Sequence, residues 1–246
     1  MTELTQTAPI EAPLSETQRV VDIFVAPTRT FIDIRRKATF WGPLIIMIIV
    51  GIAFSFAVQQ KIGWEKAVSN IVHQGSQAKA EQFDASPDSA KAIAAKITAI
   101  TSYGYFVIVL IITAIIALLN WATVNFGFGG KSTYGQIYAV SFYASLVMNI
   151  KFILGIIAIF AGLAPDSFIV NNPVGSNIGY YLSTDAPKWL TSLCMHIDLF
   201  EIWSIVLTVI GVSVVAKVSK GKAAAVVVGW WILFILIGVG VAAAQG

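Results

Sequence analysis

Five stretches of this 246-residue chain are too long and too apolar to be the core helices of a soluble fold. The clearest, residues 40–58, reads FWGPLIIMIIVGIAFSFAV without one charged side chain. A helix needs about 20 apolar residues to cross a hydrocarbon layer of about 30 Å, so a run of this length reads as a membrane span. The others fall at 103–121, 137–163, 197–216 and 223–244. Composition agrees: 57% of residues are hydrophobic and only 12% charged, too few to clothe the chain in a solvated surface. Backbone polar groups in lipid must be paired within their own segment, which at this length means helix. The expected fold is all-α, a polytopic membrane bundle of five transmembrane helices.

The segments between the spans are shorter on signal but still readable. Residues 1–17, rich in Thr, Pro, Glu and Ser, hold too little apolar surface to offset ordering entropy and are expected to form a disordered tail. They lack the basic and apolar regions of a signal peptide, so the first span is expected to be retained. Across 18–39, Val20, Val21, Phe24, Phe31 and Ile34 alternate with Arg19, Arg29, Arg35 and Arg36. That pattern predicts an interfacial amphipathic helix, broken at Pro27 and lying flat on the inner leaflet. After the polar stretch 59–100, Ser86-Pro87-Asp88 supplies a cap, a first-turn proline and an acid, predicting one long helix from Pro87 into the second span. The segment PDSFIVNNPVGSNIGYYLSTDAPK is too polar to span and reads as loop.

Orientation follows from basic residues beside the spans. Arg35, Arg36 and Lys37 precede the first, Lys131 lies between the second and third, and Lys217, Lys220 and Lys222 lie between the fourth and fifth. All fall on one face, which predicts a cytoplasmic N-terminus and an extracytoplasmic C-terminus. Lys61 and Lys96 weigh on the other side. Trp41 stands where an interfacial anchor belongs.

Most chemical functions have no foothold here. Cys194 is the sole cysteine, so there is no internal disulfide and no multi-thiolate metal site. Positive charge forms no dense stripe, which argues against nucleic acid. GGKST resembles a phosphate loop, but position 125 is Asn where that motif requires Gly, and a membrane helix precedes it where the motif needs a strand. A turn is the simpler reading. His196, Asp198 and Glu201 cannot converge on a metal from one regular helix, and His73 lies in the polar stretch far from them in sequence. Cys194 has no histidine placed to activate it, and no nucleophile motif is present. No cofactor, no metal and no enzyme activity are expected; an intramembrane enzyme using Cys194 or Ser192 is the least favoured class.

The sharpest candidate is a charge cluster of Lys151, Asp198, Glu201 and His196, because ionisable groups at membrane depth must pair or face water. At about 1.5 Å per residue, Lys151 lies roughly 20 Å into the third span, and Glu201, entering from the opposite face, about 24 Å from the same side. Lys151 with Glu201 is the expected closer pair, with Asp198 a turn nearer the surface. Such a pair is either a structural pin between the third and fourth spans or part of a solute path. The pin is favoured, since only Asn149 and Gly155 hint at a broken or hydrated helix. Trp203, Trp230 and Trp231 are expected to pack or to anchor at the interface.

These residues carry a resemblance. VDIFVAPTRTFIDI before the first span, KIGWEKAV after it, LLNWATVNFGFGGKSTYGQIYAVSFYASL across the second turn, and HIDLFEIWSIVLTVIGVSVVAKVSKGKAAAVVVGWW at the end are similar, in order and spacing, to the YIP (Ypt/Rab-interacting protein) family of five-span membrane proteins, most closely its bacterial branch. Met148-Asn149 stands where many relatives place a proline. Eukaryotic members are linked to small GTPases and vesicle traffic, so the resemblance implies a non-enzymatic protein acting through lipid or protein partners. The alternative is a small-solute or ion transporter using the same charges, and the oligomeric state stays open.

Overall fold

Ser15 opens the first helix by a reciprocal cap: its hydroxyl accepts from the Gln18 N–H while the Gln18 side chain accepts from the Ser15 N–H. The computed structural model describes residues 12–75, 77–183 and 185–244. Helix α1 (Glu16–Val25) therefore includes the end of the segment read as a tail, and residues 1–11 lie outside the described residues. Pro27 forces Ala26 out of helical geometry and starts α2 (Pro27–Arg36). The amphipathic stripe has a different destination from the one expected. Ile23, Phe31 and Ile34 are fully buried with Val140, Tyr143 and Val212, so the bundle covers this part of the stripe, while Val21 stays exposed.

The first span is α3 (Trp41–Lys61), and Gly63, with φ +80°, makes the turn into α4 (Trp64–His73). Helices α5 (Gln77–Asp84) and α6 (Asp88–Tyr103) complete a polar cap, in which the His73 imidazole meets Asp84. Ser86 turns its hydroxyl back to the Gln82 carbonyl, and Pro87 flanks α6 from outside. The long helix expected from Pro87 is interrupted at Gly104 (φ −88°, ψ 6°), after which α7 (Tyr105–Ala122) forms the second span and ends in a π-helical turn, Thr123–Gly127.

Thr133 and Gln136 repeat the reciprocal cap at α8 (Tyr134–Ala144), which breaks at Ser145 before α9 (Leu146–Phe160). The family position for a proline thus has its break three residues earlier. Ser141 and Ser145 hydroxyls bond the Ile137 and Phe142 carbonyls, a pattern that bends helices. Helix α10 (Lys188–Met195), between the segment read as loop and the expected start of the fourth span, packs on the last helix. The fourth span α11 (Leu199–Ala216) ends at Lys217 in left-handed geometry, and α12 (Lys220–Ala244) is the fifth. Five helical spans are long and apolar enough to cross a membrane, and the described residues contain no strand beyond an isolated bridge between Asn177 and Asp198.

Three loops meet on the face carrying α1 and α2. The Lys131 N–H donates to Ala216, Lys222 reaches the Phe128 carbonyl, and Gln136 donates to the Arg35 carbonyl. Arg35, Arg36, Lys37, Lys131, Lys217, Lys220 and Lys222 therefore share one end of the bundle, and α4 to α6 cap the other. Trp41 is exposed in the first turn of α3, stacked on Phe40.

Candidate functional site

Asp198 is the hinge of the charged cluster because it performs two tasks at once. One carboxylate oxygen caps α11, accepting from the Phe200 N–H at 2.8 Å and the Glu201 N–H at 3.2 Å. The other accepts from the Lys151 ammonium at 2.8 Å, from the Ser176 hydroxyl at 2.5 Å and from Asn177 at 3.4 Å. The Lys151 and Asp198 side chains are only 12% and 2% exposed, so the pair is withdrawn from lipid and solvent alike. Its hydrogen-bond partners make the burial tolerable, since an isolated buried carboxylate would be protonated or expelled.

This corrects the expected pairing. Lys151 meets Asp198, and Glu201 turns the other way, to the His196 imidazole at 3.2 Å and the Trp231 indole N–H at 2.6 Å. Asp198 is held by the cap that it forms on α11, which a count of helical rise ignores. The four residues singled out thus form two adjacent pairs flanking the first turn of α11.

The missing partners come from the polar loop before α10. Its segment 172–177 dips back into the bundle: Asn172 and Asn177 bond each other side chain to side chain, and the Leu199 N–H donates to the Ser176 carbonyl. Pro173 lies against Gly155 so closely that a Cβ there would come within 2.9 Å of it. Gly155 is one turn beyond Lys151, so irregular backbone reaches the depth of the charge pair. That is permitted in a membrane only where protein covers it, and Asn172, Pro173 and Asn177 are all buried. The density of Asn and Ser in NNPVGSN was the available signal.

A second cluster escaped the sequence reading. The Arg19 guanidinium, side chain 3% exposed, bonds Asp33 through two nitrogens at 2.7 and 2.6 Å, the Lys37 carbonyl at 3.1 Å and the Thr39 hydroxyl at 2.5 Å. Glu16 takes the Thr39 and Tyr143 hydroxyls. Arg19 shares a helix face with buried Ile23, which marks it as inward-facing once that face is known to be covered.

The remaining candidates are dispersed. Lys131 sits in a turn clamped by Asn125, whose side chain holds Ser132 by its N–H, hydroxyl and carbonyl. Cys194 lies half-buried on α10, and no group of three or more His, Cys, Asp or Glu is gathered as a metal set among the described residues.

Five apolar helical spans tied together by buried polar clusters define an integral membrane protein of the all-α polytopic class. The comparisons narrow that class. A family model described as the Yip1 domain matches residues 21–242, and the chain belongs to that family. It is also similar to the membrane protein YknW of Bacillus subtilis (strain 168), 27% identical over 233 residues, which cover 92% of this chain and 87% of that protein. No solved structure matches the chain.

Proposed function

We propose that this chain is a non-enzymatic protein of the bacterial inner membrane that acts by engaging protein or lipid partners, with Lys151–Asp198 as a structural pin. One observation carries the reading: the Asp198 carboxylate is filled by Lys151, Ser176, Asn177 and two helix N–H groups, which leaves the pair little capacity to bind and release a solute. Conduction needs sites that ions enter and leave, and a closed, buried pair is the reverse of that. The basic residues gathered on the α1–α2 face support a cytoplasmic N-terminus and an extracytoplasmic C-terminus.

The transport reading retains one observation of its own, the partly exposed Glu201 in a cavity. Sealed proteoliposomes decide between the two. The purified chain is expected to pass no protons, potassium or small amino acids above the protein-free rate, and Lys151→Ala to change nothing in that assay. Flux that disappears with Lys151→Ala would replace the partner-binding reading with transport.

A further inference from the structure

Between α7, the α8–α9 break, α11 and α12 lies a cavity of about 500 Å³. It is lined by Asn120, Ser141, Ser145, Thr208, Glu201 and Trp231 among apolar side chains, and its volume is that of a small-molecule site. Counting helical rise from the α1–α2 face, Asn120 lies about 10 Å deep and Glu201 about 22 Å, so the cavity runs through the middle of the membrane. Ile112 and Phe234 line it and are also 50% and 42% exposed on the outside of the bundle, which places its mouth between α7 and α12, open to the bilayer.

The lining is rich in hydrogen-bond acceptors, with the Thr113 and Ser204 hydroxyls and the His196 imidazole as its remaining polar groups. The hydroxyl protons of Ser141, Ser145 and Thr208 are committed to backbone carbonyls, leaving lone pairs toward the cavity. The Trp231 indole N–H is committed to Glu201, and that of Trp230 to Thr123. Asn120, buried, has a side-chain oxygen without a partner. Glu201 is the decisive member. The cation at its level, Lys151, belongs to Asp198, and the basic group in range of Glu201 among the described residues is the His196 imidazole. An acidic group at this level of a membrane bundle, lined up with a cavity and with no Lys or Arg beside it, suits a ligand that brings its own cation.

We infer that this cavity binds an amphiphile bearing a protonated primary amine, which enters laterally from the bilayer and sets its ammonium against Glu201. An ammonium brings three donors and no acceptor, matching a lining of acceptors, and a chain would lie along Ile112, Ile116 and Phe234. The amine can belong to an aminophospholipid headgroup or to a single-chain amine. This assignment rests on the partner-binding reading and supplies a class of partner. A neighbouring cleft of about 540 Å³ between α3, α6 and α9 is larger but has no charged group in its lining, so it selects nothing comparable.

The full chain, reconstituted in nanodiscs of equal dioleoyl phosphatidylethanolamine and phosphatidylcholine, is released and its retained lipid weighed by native mass spectrometry. The headgroups differ at the amine, so retention of the ethanolamine lipid should exceed the choline lipid about tenfold, the value of one charge-assisted bond. Glu201→Gln should return the ratio to that of the bulk. Thr113→Trp, which fills the cavity from a partly buried lining position on α7, should do the same and decides the matter if Glu201→Gln does not fold. Displacement by hexadecylamine identifies a single-chain amine as the preferred source, and resistance to it identifies the diacyl lipid. Equal retention in the unmodified chain, or a preference that survives both substitutions, overturns the site. Glu201-dependent ion flux would overturn the partner-binding reading itself, whereas no flux with no lipid preference removes the amine site alone.

Discussion

At the scale of single residues, buried Asp198 and partly exposed Glu16 illustrate how the polar clusters hold a carboxylate: each is supplied with several donors. Asp198 takes five, two from the helix it caps. Glu16 takes the hydroxyls of Thr39 and Tyr143 beside the Arg19 charge. Burial alone would raise the Glu16 carboxyl, but those hydrogen bonds and Arg19 outweigh it and hold it below the ordinary glutamate value. A depressed folded-state value means its contribution is complete above the ordinary range and is lost as the pH falls through the lower, folded-state value. Docking of α1 and α2 is therefore predicted to loosen in acid. Pulsed hydrogen exchange should show amides of residues 16–36 losing protection at a lower pH in the native chain than glutamate ordinarily titrates. Glu16→Gln should abolish that step; persistence of the step would assign it elsewhere.

At the scale of elements, close approaches set the helix and loop positions. A Cβ on Gly211 would lie 2.4 Å from Val140 and 2.9 Å from Phe31, so α11 can meet α8 and α2 together only with glycine there. A Cβ on Gly155 would strike Pro173 and Phe54. Gly155→Leu is predicted to push the 172–177 segment out of the bundle at a cost of about 1–3 kcal/mol, read as a fall in thermal unfolding temperature and new protease cutting in that loop. Unchanged cutting would mean the loop is held from elsewhere. These contacts explain what sequence reasoning could reach. The spans were legible because lipid imposes length and apolarity locally, within 20 residues. The loop insertion and the burial of α1 and α2 were not, because each depends on partners distant in sequence, such as Arg19 with Asp33 and Ser176 with Asp198. The charge pair was half legible: Lys151 stands out as the lone charge of an apolar span, while its carboxylate follows from a cap that no helical rise predicts.

At the scale of the whole molecule, two polar clusters tie opposite ends of one bundle, Arg19–Asp33 at the α1–α2 face and Lys151–Asp198 toward the α4–α6 cap, while α7 and α12 stand more loosely, with 17% of each span buried. Lipid contact and lateral access concentrate on those two helices. The proposed topology, with the two ends on opposite faces, has a direct check. In a Cys194→Ser background, a cysteine at exposed Asp185 is predicted to react with an impermeant maleimide on intact cells. A cysteine replacing Lys222 should react only after the membrane is opened, and the reverse pattern would invert the orientation.

Lys151 and Asp198, on this account, pin the third and fourth spans as a closed pair. The most direct measurement is a double-mutant cycle in unfolding free energy with Lys151→Met and Asp198→Asn. Removing one partner of a buried pair costs about 3–5 kcal/mol, reduced here by the other donors to Asp198, while the neutral double variant should recover much of the loss. A coupling above about 1 kcal/mol is the predicted result. Strictly additive losses would mean that the two charges stabilise the bundle separately, and the pin would have to be abandoned.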